Sequence, residues 1–361
     1  MKIRFFFPLI FLILSSNVMF SQGSFSGDLM LNNNFFMRDS LRGALGIPHY
    51  DNSLKSTDSW LQLMYMNDGL EIGARLDMYY NSNLHIPTQV FSSSGIGMLY
   101  IRKNIKKLTI TGGNIYDQIG SGVVFRAFED RGLGIDNSLF GVHLKYDLSE
   151  NWSIYGMSGK QKYRFELYEP IITASKMEGY LKLGEDLQIV PGLGVMNRTL
   201  DEASMASVVT QINSYDLEDR FYPKYNVYAG SFYNTTTYKN ITWYLEYALK
   251  TSEAIKDETN NLSNRNGSLL YTTLGYSKKG IGVIGQYKRT ENFSLRVSPD
   301  MVLLNGMINF LPPLTRQNTY RLTSRYAAMA LPLGEDAFQL DLVMKPRKGL
   351  NIDINFPMLM I

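Results

Sequence analysis

Leu70-Glu71-Ile72-Gly73-Ala74-Arg75-Leu76-Asp77-Met78-Tyr79-Tyr80 is the stretch on which the fold turns. Leu70, Ile72, Ala74, Leu76, Met78 and Tyr80 form one apolar stripe, and Glu71, Gly73, Arg75, Asp77 and Tyr79 fall between them. A strand sends alternate side chains to opposite faces, whereas a helix would scatter these charges around its whole circumference. A tilted strand needs about 9–11 residues to cross a bilayer, the length of this segment.

The same split recurs along the chain. Ile241, Trp243, Leu245, Tyr247 and Leu249 oppose Thr242, Tyr244, Glu246, Ala248 and Lys250, while Phe338, Leu340, Leu342 and Met344 oppose Gln339, Asp341, Val343 and Lys345. Shorter versions set Phe140, Val142, Leu144 and Tyr146 against Gly141, His143 and Lys145, and Ile281, Val283 and Tyr287 against Ile284, Gln286 and Lys288. Soluble sandwiches alternate as well, so the links between strands carry the argument. Tight links at 67–69, 104–106, 148–151, 184–186, 238–240 and 278–280 alternate with long polar ones at 35–56, 83–94, 116–137, 161–176, 198–224 and 251–267. Outer-membrane barrels sort their links this way, with short periplasmic turns on one rim and long surface loops on the other. Greek-key sandwiches mix the two freely.

Counted from Gly23, the pattern gives thirteen strands as far as Arg289, the first rising from the periplasmic side. Tyr320–Tyr326, Ala337–Lys345 and Leu350–Phe356 read as three more, although the short link at 346–349 falls where a long one is expected. The fold expected is all-β: a transmembrane antiparallel up-and-down β-barrel of 14–16 strands. Such barrels commonly end on an aromatic residue. The terminal Pro357-Met358-Leu359-Met360-Ile361 does not, which leaves the carboxyl-terminal strands open to being incomplete.

Lys2 and Arg4 precede an apolar run from Phe5 to Leu14, then Ser15, Ser16 and Asn17, with a cut expected near Ser21 and Gln22. That is the layout of a cleaved signal peptide over residues 1–21, its apolar block too short for the ~30 Å hydrocarbon core. Residues 22–361 are then one barrel domain with outer-membrane lipid as its surroundings. Basic and acidic residues number 36 and 33, so nothing favours a nucleic-acid partner. With no Cys, disulfide scaffolds, thiolate metal sites and lipid-anchored amino termini are excluded. His49, His85 and His143 lack metal-ligand spacing, and no zincin or nucleophile-elbow motif is present. The reading therefore implies no cofactor, no metal and no enzyme.

Arg126, Glu129, Asp130 and Arg131 form the densest mixed-charge cluster, in a link that opens on Gly120-Ser121-Gly122. Folded into a pore, they would select solutes by charge and size; the plainer alternative is a salt-bridged network bracing the wall. By strand parity Glu71, Arg75, Asp77, His143, Lys145, Glu246, Lys250 and Asp341 face the lumen, which would make it charged and wet, or close it if the charges pair. In the link 198–224, Leu200, Ala203, Val208, Val209 and Ile212 follow the helical period around Asp201 and Glu202, so a short helix starting on acids is expected. It could dock a protein partner or simply pack as a surface loop.

The segment from Gly113 to Asn137, with its Gly120-Ser121-Gly122-Val123-Val124-Phe125-Arg126 core, resembles the signature of an uncharacterised outer-membrane β-barrel family of the Bacteroidetes. Leu311-Pro312-Pro313-Leu314-Thr315-Arg316-Gln317-Asn318-Thr319-Tyr320 and the Phe20-Ser21-Gln22 border resemble it too. The resemblance implies location and architecture, and it carries no activity. The function expected is a pore or gated channel for small polar solutes. The alternative is a non-conducting scaffold of an export or surface-attachment assembly, binding protein partners through its long loops.

Overall fold

The computed structural model describes residues 23–37, 39, 41, 54–84, 90–301, 305–314 and 330–360; the expected signal peptide and the expected strand Tyr320–Tyr326 lie outside them. The wall begins with β1 (Ser24–Phe35), β2 (Lys55–Asn67), β3 (Leu70–Ser82), β4 (Phe91–Ile105) and β5 (Leu108–Ile115). The link that follows carries two small hairpins, β6 (Asp117–Ile119) with β7 (Phe125–Ala127) and β8 (Glu129–Asp130) with β9 (Ile135–Asp136). The wall resumes with β10 (Leu139–Asp147), β11 (Trp152–Tyr163), β12 (Glu166–Gly179), β14 (Leu187–Thr199) and β15 (Asn226–Tyr238), with β13 (Leu181–Leu183) prolonging β12 along β14. It ends with β16 (Ile241–Lys256), β17 (Leu262–Lys278), β18 (Ile281–Glu291), β19 (Gly334–Arg347) and β20 (Leu350–Met360). Counting β13, this is one 16-stranded antiparallel sheet in which sequence neighbours are sheet neighbours.

Alternation fixes which face is which. Along β3, Arg75, Asp77 and Tyr79 are buried while Leu76, Met78 and Tyr80 are exposed; along β16, Glu246, Ala248 and Lys250 are buried while Trp243, Tyr247 and Leu249 are exposed. A water-soluble sheet would hide the apolar stripe. Here it faces outward, as in a wall bathed by acyl chains. Tight turns join the strands on one rim, for example Asp68-Gly69 with φ of 42° and 71°. Both residues of that turn adopt the left-handed backbone whose twist matches a two-residue hairpin.

Two links expected to be long are short. β11 and β12 meet at a two-residue turn, Arg164-Phe165, and β16 and β17, of 16 and 17 residues, leave only residues 257–261 between them. A 17-residue strand is ~56 Å long and, tilted by ~45°, rises ~40 Å, well past an apolar band of ~25 Å. The polar sequence read as loop is strand that stands above the lipid. The link 198–224 does hold a helix, α1 (Glu202–Asn213), with Asp201 as its N-cap and Glu202 in its first turn.

β18 pairs directly with β19 from Ile281↔Met344 to Glu291↔Gly334, so the two are sheet neighbours, and the tight link after Arg347 lies on the tight-turn rim where parity requires it. The path then holds fifteen strands besides β13, of which the first and last run in the same direction. β1 pairs only with β2 and β20 only with β19, so Phe25 and Ile352 do not meet and the sheet is not closed. Both edge strands keep the wall pattern: Phe25, Leu29 and Leu31 on one, and Ile352, Ile354, Phe356 and Met358 on the other, lie in register with the outward residues of their neighbours.

Candidate functional site: the filled lumen

Two links fold back inside the wall and fill it. The first is 116–137, whose glycines at 120, 122 and 134 take φ of 54°, 95° and 64° to turn the chain tightly. The second comprises residues 292–301 and 305–314. The two are joined main chain to main chain: Arg126 N donates to Ile308 O at 2.9 Å and Phe310 N to Gly122 O at 2.9 Å, while Asn309 Nδ2 donates to Val123 O at 3.0 Å. Val123, Val124, Phe125, Phe293, Leu295, Val297 and Ile308 are almost wholly buried and share one core with inward side chains of β10 to β17. The chief hydrophobic core of this protein is therefore inside its wall, made by its own links.

Charged side chains fasten that plug to the strands. Arg75 on β3 holds Asp77 at 2.6 Å, Glu129 of the plug at 2.5 Å and Asp136 at 3.9 Å. Lys162 on β11 pairs with Asp136 at 2.5 Å, and Lys176 on β12 pairs with Asp117 at 2.8 Å. His143 on β10 contacts the same Asp117 at 3.2 Å. Glu246 on β16 accepts from Ser121 N at 2.9 Å, Ser121 Oγ at 2.6 Å and Tyr244 Oη at 2.6 Å. Lys250 pairs with Glu253 at 2.8 Å and donates to Ser294 O at 3.0 Å, and Arg198 holds the other oxygen of Glu253. Lys288 on β18 pairs with Glu335 on β19 at 2.9 Å and donates to Pro312 O at 2.8 Å. Anchors run from β3 round to β19, so the sheet wraps about the plug. A buried carboxylate or ammonium without a partner costs several kcal/mol, and here Asp117, Glu129 and Asp136 of the plug each meet a wall cation.

The cluster singled out from sequence is split among different tasks. Arg126 lies between the Phe128 and Phe310 rings, 4.4 and 4.3 Å from their centroids, and so staples the two links together. Glu129 bridges Arg75 and Arg131, the latter at 3.2 Å, while Asp130 accepts from Leu133 N at 3.1 Å and shapes a turn. Beside Arg75, Glu129 and Lys162 lies a cavity of about 160 Å³. Toward the tight-turn rim the inner face is solvated: Glu71 pairs with Arg102 at 3.4 Å, Lys145 with Asp147 at 3.1 Å, and Asp341 accepts from Gln339 and Asn355. Ile284 and Val343 on that inner face are about as exposed as the lipid-side residues. From sequence the inner face could be charged and wet or closed by paired charges; the structure has it wet at one end and closed at the other.

Sequence reasoning missed Lys162 and Lys176, because 161–176 was read as a loop, and Asp117 and Asp136, whose partners lie on distant strands. It missed Arg198, Glu253 and Glu335 for the same reason. Among the described residues no group of His, Asp and Glu could hold a metal ion.

The wall has the fold of outer-membrane β-barrel porins. OccK8 (OprE) of Pseudomonas aeruginosa superposes with a TM-score of 0.50 at 8% identity, over 89% of this chain and 78% of that one. OprB of Pseudomonas putida gives 0.44 at 10% identity, over 93% and 88%. No curated protein matches the sequence. A family model does match, over residues 1–359, and the chain belongs to that family, DUF6029, a family of unknown function.

Proposed function

We propose that this protein is a gated channel for small polar solutes in the outer membrane, with no catalytic role. The observation that carries the reading is the plug. A wall of this many strands encloses more space than side chains alone can fill, and the chain fills one half with two folded links while leaving charged residues in water at the other. The plug packs its apolar core against β10 to β17, and its ion-paired margin at Glu129 and Asp136, next to a 160 Å³ gap, is where it can give way. The expected signal peptide over residues 1–21 would deliver the chain to that membrane, and the sequence resemblance supports a Bacteroidetes setting.

Planar-bilayer recording tests the proposal. Wild-type protein should give small or infrequent conductance steps. A variant lacking two latch carboxylates, E129Q/D136N, should give larger or more frequent ones. Silence from both across all voltages would remove the pore while leaving the barrel in place. The scaffold alternative gains no support, since α1, its natural docking element, buries Met205, Val208 and Ile212 against the rim, where Ala254 and Leu262 meet the last two.

A further inference from the structure

On the long-loop side a cavity of about 670 Å³ lies between the tip of the β16–β17 hairpin, the plug segment that carries Arg296, and the residues leading into β19. Its size suits a small organic molecule. Ile255, Met301, Leu331 and Leu333 give it apolar walls, and Lys256, Arg265 and Arg296 bring three cations to it.

The carboxylates nearby are spoken for. Glu253 is held by Arg198 and Lys250. Asp257 accepts from Thr259 N, Thr259 Oγ1 and Asn261 N, three bonds within its own turn, and Glu258 is exposed. Among the described residues Arg296 donates to a main-chain oxygen, Asn305 O at 2.9 Å, and no ion pair ties it or Lys256 to a carboxylate. Burial holds the Arg296 guanidinium below the ordinary arginine range, with no anionic neighbour opposing it. Arg296 is half-buried, and a partly dehydrated guanidinium without a counter-ion is a ready partner for an incoming anion.

We propose that this cavity binds a small organic anion with an apolar body, its charged head on Arg296, Lys256 and Arg265 and its body against Ile255 and Leu331. The proposal rests on the channel reading and names the charge class of its solute. Binding is nevertheless measured apart from conduction: a protein that conducts without binding overturns this proposal alone, and one that binds without conducting overturns the pore alone.

The experiment titrates the full chain in nanodiscs into 4-fluorobenzoate, followed by fluorine NMR, with 4-fluorobenzamide as the uncharged isostere. Saturable broadening is expected for the carboxylate and not for the amide. R296Q should weaken the carboxylate's apparent affinity about tenfold or more, in line with the loss of one charge-assisted hydrogen bond. R296K should restore part of it. Equal binding of the amide, or an unchanged titration by R296Q, overturns the assignment. If R296Q does not fold, the K256Q/R265Q variant reads the same dependence on charge from the other two cations, and an unchanged affinity there overturns it as well.

Discussion

The ion pair between Lys288 and Glu335 offers the sharpest test of how the lumen is held. The two side chains are 0% and 1% exposed and 2.9 Å apart, and each has one further bond: Lys288 Nζ to Pro312 O at 2.8 Å, and Leu331 N to Glu335 at 2.6 Å. At an effective dielectric constant near 20, opposite charges at that distance attract by about 6 kcal/mol, and most of this is spent on removing both groups from water. K288M should therefore cost about 3–5 kcal/mol, because it leaves a carboxylate buried without its counter-charge and frees Pro312 from the wall. K288M/E335M removes both charges and should recover most of that loss. The assay is the urea midpoint of the protein in lipid vesicles, with bilayer conductance recorded alongside. A single-variant cost under ~1 kcal/mol, or a double variant as unstable as the single, would refute the account of paired burial.

Arg126→Ala removes a guanidinium from between two rings, each contact worth about 0.5–2 kcal/mol. The plug should loosen, with a lower urea midpoint and more frequent conductance steps, and no change in either measure would deny Arg126 its stapling role. Burial pushes the Asp201 carboxyl up, and hydrogen bonds from Ser204 and Ala203 outweigh it, holding the group below the ordinary carboxylate range. A depressed carboxylate stabilises α1 above its unfolded value and loses that effect as pH falls through the folded one. The difference in α1 amide protection between wild type and Asp201→Ala should thus be about 1 kcal/mol at neutral pH and vanish toward pH ~3; a gap independent of pH would exclude the cap as its source. Finally, the chain has no native Cys, so cysteine pairs can be stepped along Phe25, Leu29 and Leu31 on β1 and Ile352, Ile354 and Phe356 on β20. With one strand between the two edges their Cα atoms would stand ~10 Å apart, beyond disulfide reach, and efficient oxidation of any pair would show the edges in direct contact.

Period-two stripes made the wall legible, because lipid and lumen sort side chains over every strand that crosses the membrane. Leu76 and Trp243 are exposed and Arg75 and Glu246 buried, the same split that parity draws along the two strands. The helix at 202–213 was also readable, since Ala203, Val208, Val209 and Ile212 follow its period and Asp201 and Glu202 suit its positive end. The contents of the lumen were not. Phe293, Leu295, Val297 and Ile308 sit in a segment with no sheet partner in the wall, and their burial depends on Val123 and Phe125, some 170 residues earlier. Lys162 failed for a different reason: it lies near the tip of the β11–β12 hairpin, and strand ends that stand above the bilayer are polar on both faces and lose the contrast that marks a strand in lipid. Pairings such as Lys176 with Asp117 are set by how the plug is seated, which no local pattern encodes.

The two edges of the wall complete the physical picture. An unpaired strand edge cannot face hydrocarbon, where each unsatisfied N–H or C=O costs several kcal/mol. β1 and β20 rise in the same direction, so bringing them together would force a parallel pair in an otherwise antiparallel sheet. A second copy in the same membrane orientation offers only rising edges too, and meets the same obstacle. Antiparallel satisfaction of both edges takes an odd number of strands between them, descending at both ends, and a single descending strand gives the even count that bacterial outer-membrane barrels share. The stripes on β1 and β20 match that placement: outward Phe25, Leu29, Ile354 and Phe356 would flank it on the lipid side, and inward Asp28, Asp353 and Asn355 on the other.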